Sequence, residues 1–366
     1  MSETPLEAEL KRQIAKTGPV PISEYMAMAL GHPAHGYYMG RDPFGARGDF
    51  ITAPEVSQIF GELVGIWCAA AFQMTGAPAS FNLVELGPGR GTLMADMLRA
   101  ANIMPGFKEA ANVHLVETSP ALKQNQKVKL ASAGVPLAWH DTFEAVPEGP
   151  AIVVANEFFD ALPVKQMQRA GEHWHERVVG LDAEGALAFG LSAQVLPKDT
   201  IPVWAAEAED GAIIELSPVR EGVAELIGAR LVQQGGFGLF IDYGHVNSAP
   251  GDTLQALSKH QYAEILHRPG YCDITSHVDF EALGKAFQRS GASVFGPVSQ
   301  GPFLDAMGLD VRAERLSRDA NRRQARAIEA AVTRLASRQE MGELFKVMAV
   351  GAPGAPIPAP FEGLSG

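Results

Sequence analysis

Continuous apolar runs separated by amphipathic stretches predict an α/β domain. Such runs are typical of strands that are buried on both faces of a parallel sheet. The run at 151–155 is of this kind, and shorter or interrupted apolar segments predict further core strands at 81–86, 113–116, 136–139 and 238–241, with a closing antiparallel strand at 345–350. Strands that alternate with helices in this way are typical of a doubly wound, Rossmann-like sheet.

Other periodicities flank and interrupt this core. Helical patterns at residues 6–30 and 54–74 predict an N-terminal helical region. Two-residue alternation that begins at Val164 predicts an inserted antiparallel β segment. The predicted domains are a helical or lid region at 1–80, a core at 81–350 with the insertion at about 164–212, and a disordered Pro- and Gly-rich tail at 351–366.

Composition and charge exclude several classes of protein. The net charge of −12 disfavours nucleic-acid binding, which depends on Lys and Arg neutralising phosphates. No apolar run is long enough for a membrane span, and the N-terminus lacks a signal or transit pattern. Two cysteines allow neither a disulfide framework nor a cysteine zinc site, and His173-Trp174-His175 is interpreted as a surface hairpin, so no metal is expected. We therefore expect a cytoplasmic protein.

The richest motif is the glycine turn after the first core strand. Gly87, Gly89 and Gly91 alternate directly after residues 81–86, and Glu85 precedes them. Glycine permits a tight turn and close approach of the backbone to a ligand, although a glycine triplet alone can also be an ordinary surface turn. The spacing is not the G-x-G-x-x-G of dinucleotide sites, and Pro88 removes an N–H that a phosphate would need. Glu85 would repel a pyrophosphate but attract an ammonium group.

Two further acids follow the next core strands. Glu117 ends the second strand, where a carboxylate can accept hydrogen bonds from a ribose diol. Asp141 follows the third strand and either contacts an adenine amino group or caps the next helix. A nucleoside without phosphates but with an ammonium group fits this set, and S-adenosylmethionine is the best candidate. The sequence thus predicts a methyltransferase.

The segment after the fourth core strand is the candidate acceptor site. It contains Asn156, Glu157 and Asp160 around Phe158 and Phe159. An acidic pair between apolar rings suits a guanidinium, which it could hold and deprotonate. The alternative is that the polar residues cap a helix while the rings fill the core.

The segment Gly48–Glu55 precedes a helix and is a candidate lid over the cofactor. Thr52 is its candidate cofactor contact, and N-capping of the helix is the alternative for this residue. Gly61 and Gly65 in that helix permit close helix packing, including between two copies in a homodimer.

These motifs resemble the MidA family, which includes the mitochondrial complex I assembly factor that methylates an arginine. The motifs that carry the resemblance are Gly48–Glu55, Glu85–Leu93, Asn156–Pro163, Ile241–Gly244 and Asp273–Phe280. They occur in order over nearly the whole chain, from about Gly18 to Val350.

The resemblance implies a class I methyltransferase fold with an added N-terminal helical region. It also implies symmetric dimethylation of an arginine on the complex I 49-kDa subunit, in support of complex I assembly. Gly87, Gly89 and Glu117 would lie in the cofactor site, and Asn156 and Glu157 would face the acceptor. The absence of a transit peptide suggests a bacterial member.

Two alternatives stay open. One is an assembly chaperone that binds S-adenosylmethionine without needing catalysis. The other is a methyltransferase that acts on a small molecule.

Overall fold

The computed structural model describes residues 3–39, 52–258 and 260–364. Its strands are β1 (Val20–Pro21), β2 (Phe81–Leu86), β3 (Ala111–Val116), β4 (Leu137–His140), β5 (Ala151–Asn156), β6 (Lys165–Ala170), β7 (His173–Leu181), β8 (Leu187–Val195), β9 (Ile213–Leu216), β10 (Gly236–His245), β11 (Gln255–Ser258), β12 (Gln261–Ala263), β13 (Asp273–Thr275), β14 (Val278–Asp279), β15 (Ser293–Ser299) and β16 (Phe345–Gly351).

The helices complete the secondary structure. They are α1 (Pro5–Thr17), α2 (Ile22–Gly31), α3 (Ala53–Val56), α4 (Gln58–Met74), α5 (Thr92–Ala101), α6 (Phe107–Ala110), α7 (Pro120–Lys129), α8 (Pro218–Gln234), α9 (Phe280–Arg289), α10 (Gln300–Ala306), α11 (Leu309–Ser317), α12 (Arg322–Ala336) and α13 (Met341–Leu344). None of the described helices combines the length and the apolar character needed to cross a membrane.

The described residues divide into two compact units. The larger comprises those of Ile51–Phe159, Gly222–Val246 and Val278–Gly366, and the smaller those of Met1–Phe50, Asp160–Glu221 and Asn247–His277. The sequence-based boundary at residue 80 differs from this division. The cause is α4, which packs on α5 and shares the apolar core of the sheet.

The larger unit is built on an eight-stranded sheet in the order β15-β16-β10-β5-β2-β3-β4, with β14 paired to β10. The strands from β10 to β4 are mutually parallel, while β16 runs antiparallel to both β10 and β15. Every residue of β2 and β5 is buried, including the polar residues Asn82, Glu85 and Asn156. This arrangement confirms the predicted Rossmann-like α/β class.

Two glycines explain how closely α4 approaches α5. A Cβ on Gly61 would lie 2.6 Å from the Cβ of Asp96, and one on Gly65 would lie 2.5 Å from the Met97 carbonyl oxygen. Any side chain at these positions would therefore force the helices apart. The two glycines serve packing within the chain, so they no longer support the predicted homodimer.

Two details of the larger unit differ from the sequence-based expectation. The single helix expected at 54–74 is broken at Ser57, whose extended backbone and side-chain hydrogen bond to the Ile59 N–H begin α4. The tail expected to be disordered contains Phe361, which is 6% exposed and packs its ring against that of Phe303 at 5.7 Å. Burial of one aromatic side chain anchors this Pro-rich segment.

The smaller unit contains the predicted antiparallel insertion. Strands β6, β7 and β9 form its sheet, β1 and β8 pair with β7, and β11 pairs with β12 and β13 in a separate sheet. His173 and His175 lie in the β6–β7 hairpin, and the Nδ1 atom of His175 contacts the Ser192 carbonyl. Helices α1 and α2 pack on an apolar core with Val164, Val179 and Ile274.

Candidate active site

The carboxyl ends of the parallel strands place most of the predicted site residues along one edge of the sheet. Glu85 lies near the end of β2, Asn156 ends β5, and Glu117 directly follows β3. Asp141 follows β4, and Asp242 lies in the last part of β10. This edge is where ligands bind in open α/β sheets.

The glycine turn has the left-handed backbone that its sequence predicts. The φ angles of Gly87, Gly89 and Gly91 are 61°, 53° and 79°, and Gly91 is the N-cap residue of α5. A Cβ on Gly87 would lie 3.0 Å from Cδ2 of Phe158, so the turn passes directly beside that ring. Glycine is needed at this position because the backbone angle is left-handed and because Phe158 leaves no room for a side chain.

Glu85 lies beneath this turn and is 2% exposed. Burial, and secondarily the charge of Glu117, raises the pKa of Glu85 to about 8, although a hydrogen bond from the Met94 backbone opposes the shift. Its Oε2 atom has no hydrogen-bond partner among the described residues. A neutral carboxyl group at physiological pH is therefore available to ionise when a cation approaches.

Glu117 is held by donors on both oxygens. The Ser119 N–H donates to Oε1 at 2.8 Å, and Nε2 of Gln126 donates to Oε2 at 3.2 Å. Burial raises the pKa of Glu117, and these hydrogen bonds partly offset that effect. Sequence reasoning missed Gln126, although its place four residues after Leu122 and four before Leu130 puts it on the buried face of α7 and was a usable signal.

Asp141 is much more open than the other strand-end acids. Its side chain is 78% exposed and forms an ion pair with Lys123, and that pairing lowers the pKa of Asp141. The contact with adenine stays a prediction.

Thr52 lies at the N-cap position of α3 but makes no side-chain capping hydrogen bond. The rest of the predicted lid that precedes it, residues 48–51, lies outside the described residues. The cofactor contact of Thr52 stays a prediction as well.

The acceptor segment begins with a strained turn. Glu157 has a φ of 52°, which a residue other than glycine adopts at a cost of roughly 1–3 kcal/mol. Its Oε1 atom accepts hydrogen bonds from the Ala53 N–H at 3.0 Å and from Nδ2 of Asn156 at 3.1 Å. Asn156 is 7% exposed, and its Oδ1 atom has no partner among the described residues.

Asp242 holds the turn that follows Glu157. Its Oδ2 atom accepts hydrogen bonds from the N–H groups of Phe158 at 3.1 Å and Phe159 at 3.0 Å. The candidate site residues chosen from the sequence did not include it, although its place at a strand end was a usable signal.

Asp160 belongs to the smaller unit, unlike Asn156 and Glu157. Its carbonyl accepts hydrogen bonds from the Ser276 N–H and from Nη2 of Arg220, both at 3.1 Å. In this unit, burial together with the charges of Asp273 and Asp160 raises the pKa of Tyr38. The sheet edge thus carries Asn156 and Glu157 beside most of the predicted cofactor residues, while Thr52 lies at the start of α3 and Asp160 in the smaller unit.

Comparison with known sequences identifies the family to which this chain belongs. Residues 63–298 match a family described as S-adenosyl-L-methionine-dependent methyltransferases. The chain belongs to this family. The predicted cofactor, S-adenosylmethionine, is confirmed at the level of the family.

Relatives with assigned names align with almost the whole of this chain. The human protein arginine methyltransferase NDUFAF7, mitochondrial, is 36% identical over 95% of this chain and 83% of the human protein. The Drosophila melanogaster homologue, also named mitochondrial, is 36% identical over 94% of this chain and 84% of that protein. The prediction of a cytoplasmic location is wrong by this comparison, because the relatives are named as mitochondrial proteins.

A solved structure is similar in fold as well as in sequence. It is that of a Burkholderia thailandensis protein, described as a methyl transferase, bound to S-adenosyl-homocysteine. The TM-score is 0.84 at 30% identity, and the match covers 94% of this chain and 91% of that protein.

The residues of this chain fit the family's cofactor. The glycine turn keeps a side chain away from the sheet edge, and a Cβ at Gly87 would collide with Phe158. The unpartnered Oε2 of buried Glu85 suits a ligand that carries positive charge. Glu117 presents a buried carboxylate at the next strand end, as a ribose diol requires.

Proposed function

We propose that this methyltransferase modifies an arginine side chain of a protein. The observation that carries the proposal is that relatives aligned over 94–95% of the chain are named protein arginine methyltransferases. In finer detail, we propose symmetric dimethylation of an arginine on the 49-kDa-type subunit of complex I, in support of its assembly, as the family resemblance implies.

The proposed cofactor residues follow the strand ends. Gly87, Gly89 and Gly91 would let the backbone approach the cofactor, and Glu85 would face its ammonium group. The remaining contacts are Glu117 with the ribose, Asp141 with the adenine amino group, and Thr52 in the region of the lid. S-adenosylmethionine supplies the electrophilic methyl group when it is bound.

Asn156, Glu157 and Asp160 are the proposed acceptor residues. Glu157 would orient the guanidinium by hydrogen bonds and draw its positive charge away from the nitrogen that attacks. Oδ1 of Asn156, which has no hydrogen-bond partner within the described ranges, supports a further acceptor for a guanidinium N–H. Alignment of this kind can supply roughly 7–11 kcal/mol of the barrier, because the nucleophile is held in line before transfer.

The strained turn supports a role for Glu157 beyond packing. Its carboxylate already anchors the start of α3 through the Ala53 N–H, so a mutation could act on structure or on chemistry. Glu157→Gln separates the two effects, because the amide oxygen still accepts that hydrogen bond while the charge is lost.

We expect the Glu157→Gln variant to bind S-adenosylhomocysteine with wild-type affinity in calorimetry. We expect it to lose transfer of labelled methyl groups to the purified complex I 49-kDa-type subunit by roughly 10²-fold or more. A Lys replacement of the acceptor arginine in that subunit is the matched control and should abolish labelling. Wild-type transfer by Glu157→Gln would remove Glu157 from the mechanism.

Labelling of the Lys-substituted subunit would remove the arginine acceptor. A Gly87→Val variant that lost cofactor binding yet supported complex I assembly would replace the proposal with the chaperone function. Label found only in small metabolites of a lysate would replace it with small-molecule methylation.

A further inference from the structure

Gln126 is a buried polar side chain beside the glycine turn and Glu117, and the proposed function gives it no role. It lies on α7, is 0% exposed, and packs behind the glycine turn. A Cβ on Gly91 would lie 3.5 Å from both Cα and Cγ of Gln126. A buried amide needs partners for its donors and its acceptor, and each of these atoms of Gln126 has one.

The orientation of the amide is fixed by Trp139. The Trp139 indole N–H donates to Oε1 of Gln126 at 2.9 Å. An indole N–H can only donate, so the atom that faces it must be the amide oxygen. The NH₂ group of Gln126 therefore points away from Trp139.

That NH₂ group contacts both the glycine turn and Glu117. Nε2 donates to the Gly89 carbonyl at 2.7 Å and to Oε2 of Glu117 at 3.2 Å. One rigid amide thus links the glycine turn after β2 to the acid after β3. Both amide hydrogens have an acceptor and the oxygen has a donor, so the group has no reason to rotate.

The hydrogen bond to Glu117 has a chemical consequence. A donor to a buried carboxylate favours its charged form, because the charged oxygens accept hydrogen bonds more strongly than those of the neutral acid. The Ser119 N–H and Gln126 together hold the plane of the carboxylate. Its remaining lone pairs stay available to the proposed ribose hydroxyls.

We propose that Gln126 is a positioning residue that sets recognition of the ribose hydroxyls by orienting Glu117 against the glycine turn. The inference rests on the proposed ribose contact of Glu117 and does not depend on the identity of the methyl acceptor. It goes beyond that contact, because it makes selectivity for the hydroxyls depend on a side chain that touches no ligand.

The test is Gln126→Glu, which keeps the shape of the side chain but removes the donor and places a second acidic group beside Glu117. Binding of S-adenosylhomocysteine and of its 2′-deoxy analogue is measured by calorimetry on the full chain. Loss of hydrogen bonds to a charged group corresponds to ~10–100-fold in affinity. We expect S-adenosylhomocysteine to weaken by that factor and the 2′-deoxy analogue to weaken much less.

A matched control and a second variant keep the test interpretable. Gln124→Glu adds the same charge to an exposed position of the same helix and should change neither ligand's affinity. Trp139→Phe removes the donor that fixes the amide while it keeps an aromatic ring at this position, so it should reduce the preference for the ribose hydroxyl in the same direction with the fold retained.

Glu117→Gln distinguishes the two levels of the proposal. If it keeps the wild-type preference for the 2′-hydroxyl, the ribose role of Glu117 fails and this inference fails with it. If Glu117→Gln loses the preference while both Gln126→Glu and Trp139→Phe keep it, only the role of Gln126 is overturned. Equal weakening of both ligands by Gln126→Glu would also overturn it, because that result describes a residue that only supports the fold.

Discussion

Replacement of Glu85 by Gln tests the electrostatics of the sheet edge at the carboxyl ends of the parallel strands. The substitution keeps the shape of a fully buried side chain and removes its ability to ionise. In the folded protein the pKa of Glu85 is raised to about 8 from an ordinary value of 4.5, first by burial and then by the charge of Glu117. Because the folded state holds its proton more tightly than the unfolded state, this group makes folding less favourable as the pH rises through that interval.

The magnitude follows from the two pKa values. Each tenfold step in the ionisation equilibrium corresponds to ~1.4 kcal/mol, so ionising Glu85 in the folded protein costs about 5 kcal/mol. Between pH 5 and pH 8 the free energy of unfolding of the wild-type protein should fall by ~3–4 kcal/mol relative to Glu85→Gln. Above pH 8 the difference should level off.

The assay is urea unfolding of both proteins at half-unit steps from pH 5 to pH 9. Subtraction of the two curves cancels the other titrating groups to first order. Asp141→Asn is the control, because that side chain is exposed and its pKa is lowered by Lys123, so its difference curve should be nearly flat over the same range. A flat difference curve for Glu85→Gln would refute the account of a neutral buried carboxyl group.

Two further predictions test packing and pairing in the larger unit. Gly87→Ala should lower the free energy of unfolding by roughly 1–2 kcal/mol from backbone strain, and further because its Cβ would lie 3.0 Å from Phe158. Thermal melts should show this loss. Gly185→Ala is the control for strain alone, because Gly185 has a φ of 78° and no described neighbour comes within 4 Å of an added Cβ. Glu62→Gln should cost roughly 1.5–3 kcal/mol in urea unfolding, because this buried carboxylate accepts hydrogen bonds from two partly exposed arginines. Glu281→Gln, which breaks an exposed pair with Lys285, should cost less than about 1 kcal/mol, and equal costs for these two variants would contradict the argument.

The core strands were predictable because strands that are buried on both faces of a parallel sheet are rich in apolar residues. The predicted run at 81–86 matches β2 residue for residue, and the observed strands β3 and β5 each extend at most two residues beyond the predicted runs. The glycine turn was predictable for a similar reason, since three closely spaced left-handed residues require glycine.

Other features depend on contacts that no local pattern records. The break at Ser57 depends on one capping hydrogen bond, and the order of the tail depends on the burial of Phe361. Gln126 lies among Lys, Gln and Val residues of ordinary helical character. Only the folded chain brings its amide to Gly89, Glu117 and Trp139.

The acceptor segment illustrates why proximity in sequence is a poor guide to a site. Asn156, Glu157 and Asp160 were grouped because they are neighbours in the chain, yet the division between the two compact units falls between Phe159 and Asp160. Asp242 is more than eighty residues away in sequence but holds the backbone of Phe158 and Phe159 directly.

A carboxylate that fixes two consecutive N–H groups determines where the preceding Glu157 can point. Loss of Asp242 should therefore disturb Glu157 more than loss of its sequence neighbour Asp160 does. The shape of the proposed acceptor site is better inferred from the ends of β5 and β10 together than from the sequence motif Asn156–Pro163 alone.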